Sequence, residues 1–374
     1  MKRIISLISA VCFFVLQMPV LAAPEVPAKS MILTESSTGT VLAENNADER
    51  LPIASITKIM TLLLIMEAIE DGKLAMDEMI AVSENAMSMG GSTMFLEAGE
   101  ELSVHEMLKG IAVASANDGC VAMAEYLCGS EEEFVAKMNE RAKELGMENT
   151  QFMNTNGLDE EGHYSSARDV AIMSRELLKH EKIFEYTSIW TGRMHNDEFE
   201  LANTNKLIRF YNGANGLKTG STSLAGCCLS ATAKRNDMQL IAVTLGSENS
   251  KDRFDSARTL LDYGFANYAL KKPWESTEVP TIEVQKGLED FTVPVLEDES
   301  GILCEKGTSG DMTVEWNLPE MIAAPIHKGQ KIGEMNIMVD GNILATKNLV
   351  SNSDIAKKGF LDIFRDCVFA LLKQ

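Results

Sequence analysis

Ser55-Ile56-Thr57-Lys58-Ile59-Met60-Thr61-Leu62-Leu63-Leu64-Ile65-Met66 is the stretch on which the reading of this chain turns. Pro52 and Ser55 introduce it, and Asp71-Gly72 closes it as a turn. Ile56, Ile59, Met60, Leu63 and Met66 recur at helical spacing. So few of its positions are polar that the helix is expected at the centre of a domain. Residues three apart share one face of a helix, which lets the Ser55 hydroxyl meet the Lys58 amine. A serine hydroxyl is a weak nucleophile until a base takes its proton. Lysine can be that base only when neutral, so burial and a nearby positive charge must lower its pKa. The helix N-terminus also suits negative charge developing on a substrate oxygen.

Two further motifs complete the pattern. Ser115-Ala116-Asn117 is expected in a turn after a helix that begins at Ser103. Asn117-Asp118-Gly119 also reads as plain turn chemistry. In the functional reading Ser115 relays a proton and the Asn117 amide holds a substrate carbonyl. Lys218-Thr219-Gly220 is expected at the start of a strand. A strand edge can pair with an extended peptide through its backbone. Gly220 allows close approach, and Lys218 and Thr219 bring a charge and a hydroxyl to a substrate carboxylate. Lys218 is also the charge held responsible for lowering the Lys58 pKa. Ser-x-x-Lys or Ser-x-Asn arises by chance roughly once in a chain this long, and Lys-Thr-Gly about once in ten such chains. All three in order are the strong signal.

Around these motifs the chain alternates between helix and strand patterns. Met31–Leu33 and Val41–Ala43 read as a hairpin around Ser37-Thr38-Gly39. Ser103, Ser130 and Ser166 each stand three residues before an acidic side chain and read as structural helix caps. Lys218–Ala233 and Met238–Leu245 read as strands, followed by a helix from about Asp252 to Leu270. Lys271-Lys272-Pro273 marks a boundary. Beyond it, short Val, Ile and Thr runs separated by Gly, Asp and Pro read as all-β. From Ile355 to Lys373 helical spacing returns, with Phe360, Phe364, Cys367, Val368 and Leu371 on one face. That tail fits an amphipathic helix in a membrane interface, and equally one packed on protein.

At 374 residues the chain is long enough for two domains, and 45% hydrophobic residues can build a substantial core. Lys2 and Arg3, an apolar run from Ile4 to Leu16, and Val20-Leu21-Ala22 have the layout of a signal peptide cut before Ala23. The expected divisions are a signal peptide 1–22, a domain 23–272 carrying the three motifs, a β-rich domain 273–352 and a tail helix 353–374. A net charge of -21 argues against nucleic acid. Seven cysteines include Cys12 in the leader, and the adjacent Cys227 and Cys228 would point to opposite faces of a strand. Small buried side chains are the simpler reading than disulfides. No metal or other cofactor is expected, since His105-Glu106 lacks the second histidine of a zinc-protease helix.

Beyond the three motifs stand Gly90-Gly91-Ser92-Thr93, Phe152-Met153-Asn154-Thr155-Asn156-Gly157-Leu158, His163-Tyr164-Ser165-Ser166-Ala167-Arg168-Asp169 and Asn215-Gly216-Leu217 ahead of Lys218. Arg253-Phe254 through Leu260-Leu261-Asp262-Tyr263-Gly264-Phe265 follows them. With these the chain resembles the serine D-alanyl-D-alanine carboxypeptidases, the low-molecular-mass penicillin-binding proteins, from about Pro24 to Lys272. The β-rich region and tail are similar to that family's usual C-terminal additions.

The resemblance implies an α/β (α+β) fold of the β-lactamase/transpeptidase type. An antiparallel sheet would be flanked by helices and carry a helical insertion, with a small β-sandwich after it. It implies Ser55 as acylated nucleophile, Lys58 as its base and Ser115 as proton carrier to the leaving amine. It implies Asn117, Lys218, Thr219 and Gly220 against the substrate, and an oxyanion hole from the Ser55 and Ser221 N–H groups. Arg253 matches an arginine that helps place the substrate carboxylate, although a surface charge at a helix start is nearly as good a reading. Ser221 departs from many relatives, which carry His or a bulky residue there. The implied partners are peptidoglycan stem peptides ending in D-Ala-D-Ala and β-lactam antibiotics, at the outer face of the cytoplasmic membrane. The rivals are a β-lactamase on the same fold, against which the lack of Glu-x-x-Leu-Asn after Asn117 counts, and a non-catalytic envelope scaffold.

Overall fold

The computed structural model describes residues 24–194, 199–307 and 311–372. The expected signal peptide lies outside the described residues. The strand motif is built into a five-stranded antiparallel sheet. Its order is Val41–Asn45, Ser30–Glu35, Met238–Ser247, Gly226–Arg235, Ala214–Thr222. The expected N-terminal hairpin is there. Strand side chains alternate between two cores: Ile241, Val243 and Leu245 face one, Leu240 and Ala242 the other. Both faces are therefore covered, which is why the central strand reads as nearly unbroken apolar sequence.

The helix Ser250–Asn267 covers one face with Phe254, Ala257, Leu260, Leu261 and Phe265. It ends three residues earlier than expected. Tyr268–Lys271 is instead a strand, because it pairs in register with Ile302–Glu305 of the β-rich region. The opposite face meets the helix Ala167–Leu177, through Ser174 hydrogen-bonded to Ser230 at 2.9 Å, and the central helix Lys58–Glu70. The central helix is buried on nearly all its faces from Lys58 to Met66, as its lack of polar positions requires.

A helical insertion leads from that helix to the motif strand. Its capping serines hold as read: Ser103, Ser130 and Ser166 accept from the backbone N–H of Glu106, Glu133 and Asp169 at 3.1–3.3 Å. Beyond Lys271, besides the pair already named, the described residues form two small sheets. One is Phe291–Thr292, Ile282–Gln285 and Met321–Ala323; the other is Pro294–Leu296, Asn342–Ser351, Lys331–Val339 and Met312–Asn317. The tail helix spans Phe360–Leu372, later than its expected start. Ile355 is 2% exposed and exchanges backbone hydrogen bonds with Ile326, so the β core claims the residues that were read as the helix's first turn. No described helix is long and apolar enough to cross a membrane.

Candidate active site

Ser55 lies in a single turn of tight helix, Ala54–Thr57, that runs into the central helix. Lys58 is wholly buried and its Nζ donates to three oxygens: Ser55 Oγ at 2.9 Å, Asn117 Oδ1 at 2.6 Å and the Asn156 carbonyl at 2.6 Å. An ammonium has three N–H groups, so the protonated amine is fully satisfied. Remove one proton and two N–H groups remain for Asn117 and Asn156. The lone pair then faces the serine hydroxyl. Burial pushes the Lys58 amine from its ordinary 10.5 down to about 8, with Cys120 and Asp118 acting weakly the other way.

Lys218 is not the main cause of that shift. It is itself driven well below its ordinary value, first by burial and then by the charge of Lys58. Its Nζ donates to the Thr219 carbonyl at 3.0 Å, and the Thr219 hydroxyl donates to Thr204 at 2.7 Å. The Lys-Thr-Gly triplet sits in mid-strand rather than at its start. The strand begins at Ala214 because a register shift between Ala214 and Gly216 lets pairing with Gly226–Arg235 continue past Gly216. Among the described residues it is the outermost strand of the sheet, so one edge has no strand partner, although Thr187 and Asn205 side chains cover the carbonyls of Asn215 and Gly216.

Gly220 is where this strand touches the nucleophile turn. A Cβ there would stand 2.7 Å from the Ile53 carbonyl and 3.0 Å from the Ser55 nitrogen. Ser221 follows, exposed, its hydroxyl 3.7 Å from Cys227 Sγ. Arg253 is no surface charge. It is 8% exposed and donates to the carbonyls of Gly220 at 3.0 Å and Cys228 at 3.4 Å, behind the strand.

Ser115 takes a left-handed backbone conformation, φ 66°, at the end of the helical run from Val104 to Ala114. This is uncommon for a residue other than glycine and marks a constrained site. Its hydroxyl is buried and has no hydrogen-bond partner among the described residues. Asn117 opens the helix Asn117–Cys128 rather than sitting in a turn. Its N–H donates to the Ser92 carbonyl at 2.7 Å and its amide to the Gly90 carbonyl at 2.6 Å. The Asp118 carboxylate, 1% exposed, accepts from the N–H groups of Met94, Leu96 and Gly119. The Gly90-Gly91-Ser92-Thr93 run is therefore strapped across the start of this helix.

Several groups carry no motif of their own. Burial pushes His163 down to about 4, so the ring is neutral. Its Nδ1 accepts from the Met153 N–H at 3.1 Å, which leaves the proton on Nε2, facing the Thr57 hydroxyl at 2.7 Å. Thr57 in turn donates to the Ala54 carbonyl at 2.9 Å and fixes the turn that carries Ser55. His163, Asn156 and Asp118 were in view as letters of longer runs or neighbours of a motif. Their tasks depend on backbone groups distant in sequence, which spacing does not report.

Ser55, Lys58 and Asn117 thus meet from separate elements through the Lys58 amine, and Lys218 on the edge strand lies close enough to feel its charge, while Ser115 stands two residues before Asn117. Residues 18–249 match the family model described as D-alanyl-D-alanine carboxypeptidase. The chain belongs to that family. Residues 268–357 match the C-terminal domain of penicillin-binding protein 5. The carboxypeptidase is 46% identical over 343 residues to the D-alanyl-D-alanine carboxypeptidase DacF of Bacillus subtilis, covering 90% of this chain and 88% of that one. It is 33% identical to DacC of Escherichia coli, covering 94% and 90%. Among solved structures it resembles penicillin binding protein 5 from Haemophilus influenzae at TM-score 0.72 and 30% identity, over 90% of this chain and all of that one. The ampicillin-bound form of penicillin-binding protein D2 from Listeria monocytogenes matches at TM-score 0.59 and 30% identity, over 65% of this chain and 100% of that one.

Proposed function

We propose that the carboxypeptidase removes the terminal D-Ala of peptidoglycan stem peptides through an ester on Ser55. The observation that carries this is the Lys58 amine bonded at once to Ser55, Asn117 and Asn156, in a site dry enough to bring it down to about 8 and so within reach of losing a proton. Neutral Lys58 takes the Ser55 proton as Oγ bonds to the penultimate D-Ala carbonyl carbon. The Ser55 and Ser221 N–H groups receive the charge on the carbonyl oxygen. As the C–N bond breaks, the proton passes from Lys58 through Ser115 to the leaving amine. Water then attacks the ester, with Lys58 again taking a proton, and Ser55 is freed. The Asn117 amide holds the substrate backbone against the edge strand, which Gly220 lets close onto the nucleophile turn. Lys218 and Thr219 meet the terminal carboxylate, with Arg253 held behind them by the Gly220 carbonyl.

β-Lactams would acylate the same serine, since a strained lactam presents the same carbonyl and a carboxylate. The residues 1–22 would direct export and be removed. The β-rich domain 273–352 would follow the peptidase domain 23–272, and the tail 353–374 would hold the enzyme to the outer face of the cytoplasmic membrane. Support for the last comes from the exposed Phe360, Leu361, Ile363 and Phe364, an apolar face that no described residue covers.

Fluorescent penicillin should label the wild type covalently, and mass spectrometry should find the adduct on the peptide containing Ser55. A pentapeptide ending in D-Ala-D-Ala should lose 1 residue. Equal labelling of Ser55→Ala would refute the nucleophile, and rapid penicillin turnover without a stable adduct would favour a β-lactamase.

A further inference from the structure

The two N–H groups assigned to the substrate oxygen belong to different elements, the Ser55 turn and the edge strand of Ser221. Gly220 brings the two elements into contact, and anything that grips both would hold their spacing further. One loop does. Its Asn156 carbonyl accepts from Lys58, and its Thr155 carbonyl accepts from Thr61 one turn further along the same helix, at 2.6 Å each. Gly157, φ +87°, presses so close that a Cβ would stand 1.9 Å from the Ala54 carbonyl and 2.9 Å from the Ser55 nitrogen. Within the loop, Asn154 Oδ1 accepts from the Gly157 N–H and Asn156 Oδ1 from the Leu158 N–H, so it moves as one piece with the nucleophile turn.

The next residue reaches the other element. Asp159 accepts from the Thr222 hydroxyl at 2.6 Å and, more weakly, from the Ser223 hydroxyl at 3.4 Å. Thr222 Oγ1 accepts in turn from the Ala225 N–H at 3.1 Å, closing the hairpin that follows Ser221. Ser221 and Thr222 pair with Cys227 and Gly226 on one side only, because their strand is the outermost of the sheet. The neighbouring strand shifts register between Cys227 and Leu229, where Cys227 pairs with Ser221.

We propose that Asp159 is a positioning residue for acylation. Its carboxylate ties the end of the edge strand, and so the Ser221 N–H, to the loop that already fixes Ser55. The proposal rests on Ser55 and Ser221 being the oxyanion donors. Asp159 touches no reacting atom, so its loss should weaken stabilisation of the tetrahedral oxygen while leaving ground-state binding of the peptide in place.

The test measures kcat and KM on a D-Ala-D-Ala peptide and inhibition by the boronic-acid analogue of that peptide, which forms a tetrahedral adduct with the serine. Asp159→Ala should lower kcat about tenfold, less than outright loss of an oxyanion donor. KM should stay within about twofold, and boronate affinity should fall by the same factor as kcat. Thr222→Val should reproduce the loss, and the double variant should be little worse than either single. Asp159→Asn, which keeps an oxygen acceptor, should recover most of the activity. Unchanged kcat and boronate affinity, or a loss confined to KM, would overturn the proposal. Should Asp159→Ala fail to fold, the Asn and Thr222→Val variants carry the comparison. Ser55→Ala run alongside separates the two levels: if it still acylates, the reading of the site fails, whereas an inactive Ser55→Ala with a fully active Asp159→Ala sinks only the role of Asp159.

Discussion

Lys58 spends its resting life as a three-way knot between the nucleophile turn, the Asn117 helix and the Asn156 loop. It becomes a base by losing one proton, which leaves two of those bonds in place. The sign of the pH effect follows. Burial favours the neutral amine, and the neutral amine is the active form. Penicillin labelling of the free enzyme should therefore rise with pH and level off above about 8. Labelling followed from pH 6 to 10 checks this, and a flat profile would count against Lys58 as base. Lys58→Arg keeps a cation that cannot be neutral, so it should slow labelling about 10³-fold even at high pH. At Gly157, an added Cβ meets both a left-handed backbone and the Ala54 carbonyl. Gly157→Ala should destabilise the protein by about 3 kcal/mol, read as a lower Tm.

The elements separate serines that look alike in sequence. Ser103, Ser130 and Ser166 cap helices, so replacing each with Ala should cost about 1 kcal/mol in a melt and leave penicillin labelling intact. Ser115→Ala should do the reverse, sparing stability and slowing acylation, because its hydroxyl has no bond to lose. The caps, the central helix and the antiparallel strands were legible because each is written in local spacing. The end of the helix at Asn267 was not, since a strand partner beyond Ile302 takes the next residues. Ser55, Lys58 and Lys218 were legible as motif letters. The source of the Lys58 shift was misjudged, because spacing cannot report how dry a pocket is. Arg253 was ambiguous for the same reason: a charge at a helix start looks exposed until the strand carbonyls it serves are seen.

For the whole molecule, the tail is the part whose chemistry the catalytic region does not use. Phe360 and Phe364 are 81% and 59% exposed. Replacing both with Glu in the full chain should weaken binding to anionic lipid vesicles about tenfold or more and leave D-Ala release in solution unchanged. Retained vesicle binding would assign that face to a protein partner.

The sheet order has a consequence in time. Ser30–Glu35 lies between Val41–Asn45 and Met238–Ser247, with Ser30 opposite Leu245. The first strand of the chain must therefore wait for the last strand of the sheet before its second neighbour exists. Contacts this distant along the chain make folding slow, because a long loop closes before any reward arrives. The catalytic groups stay scattered through that wait. A chain emerging from a pore N-terminus first would hold no working site until about residue 245 had followed, so the topology itself delays hydrolysis until the last strand of the sheet has arrived.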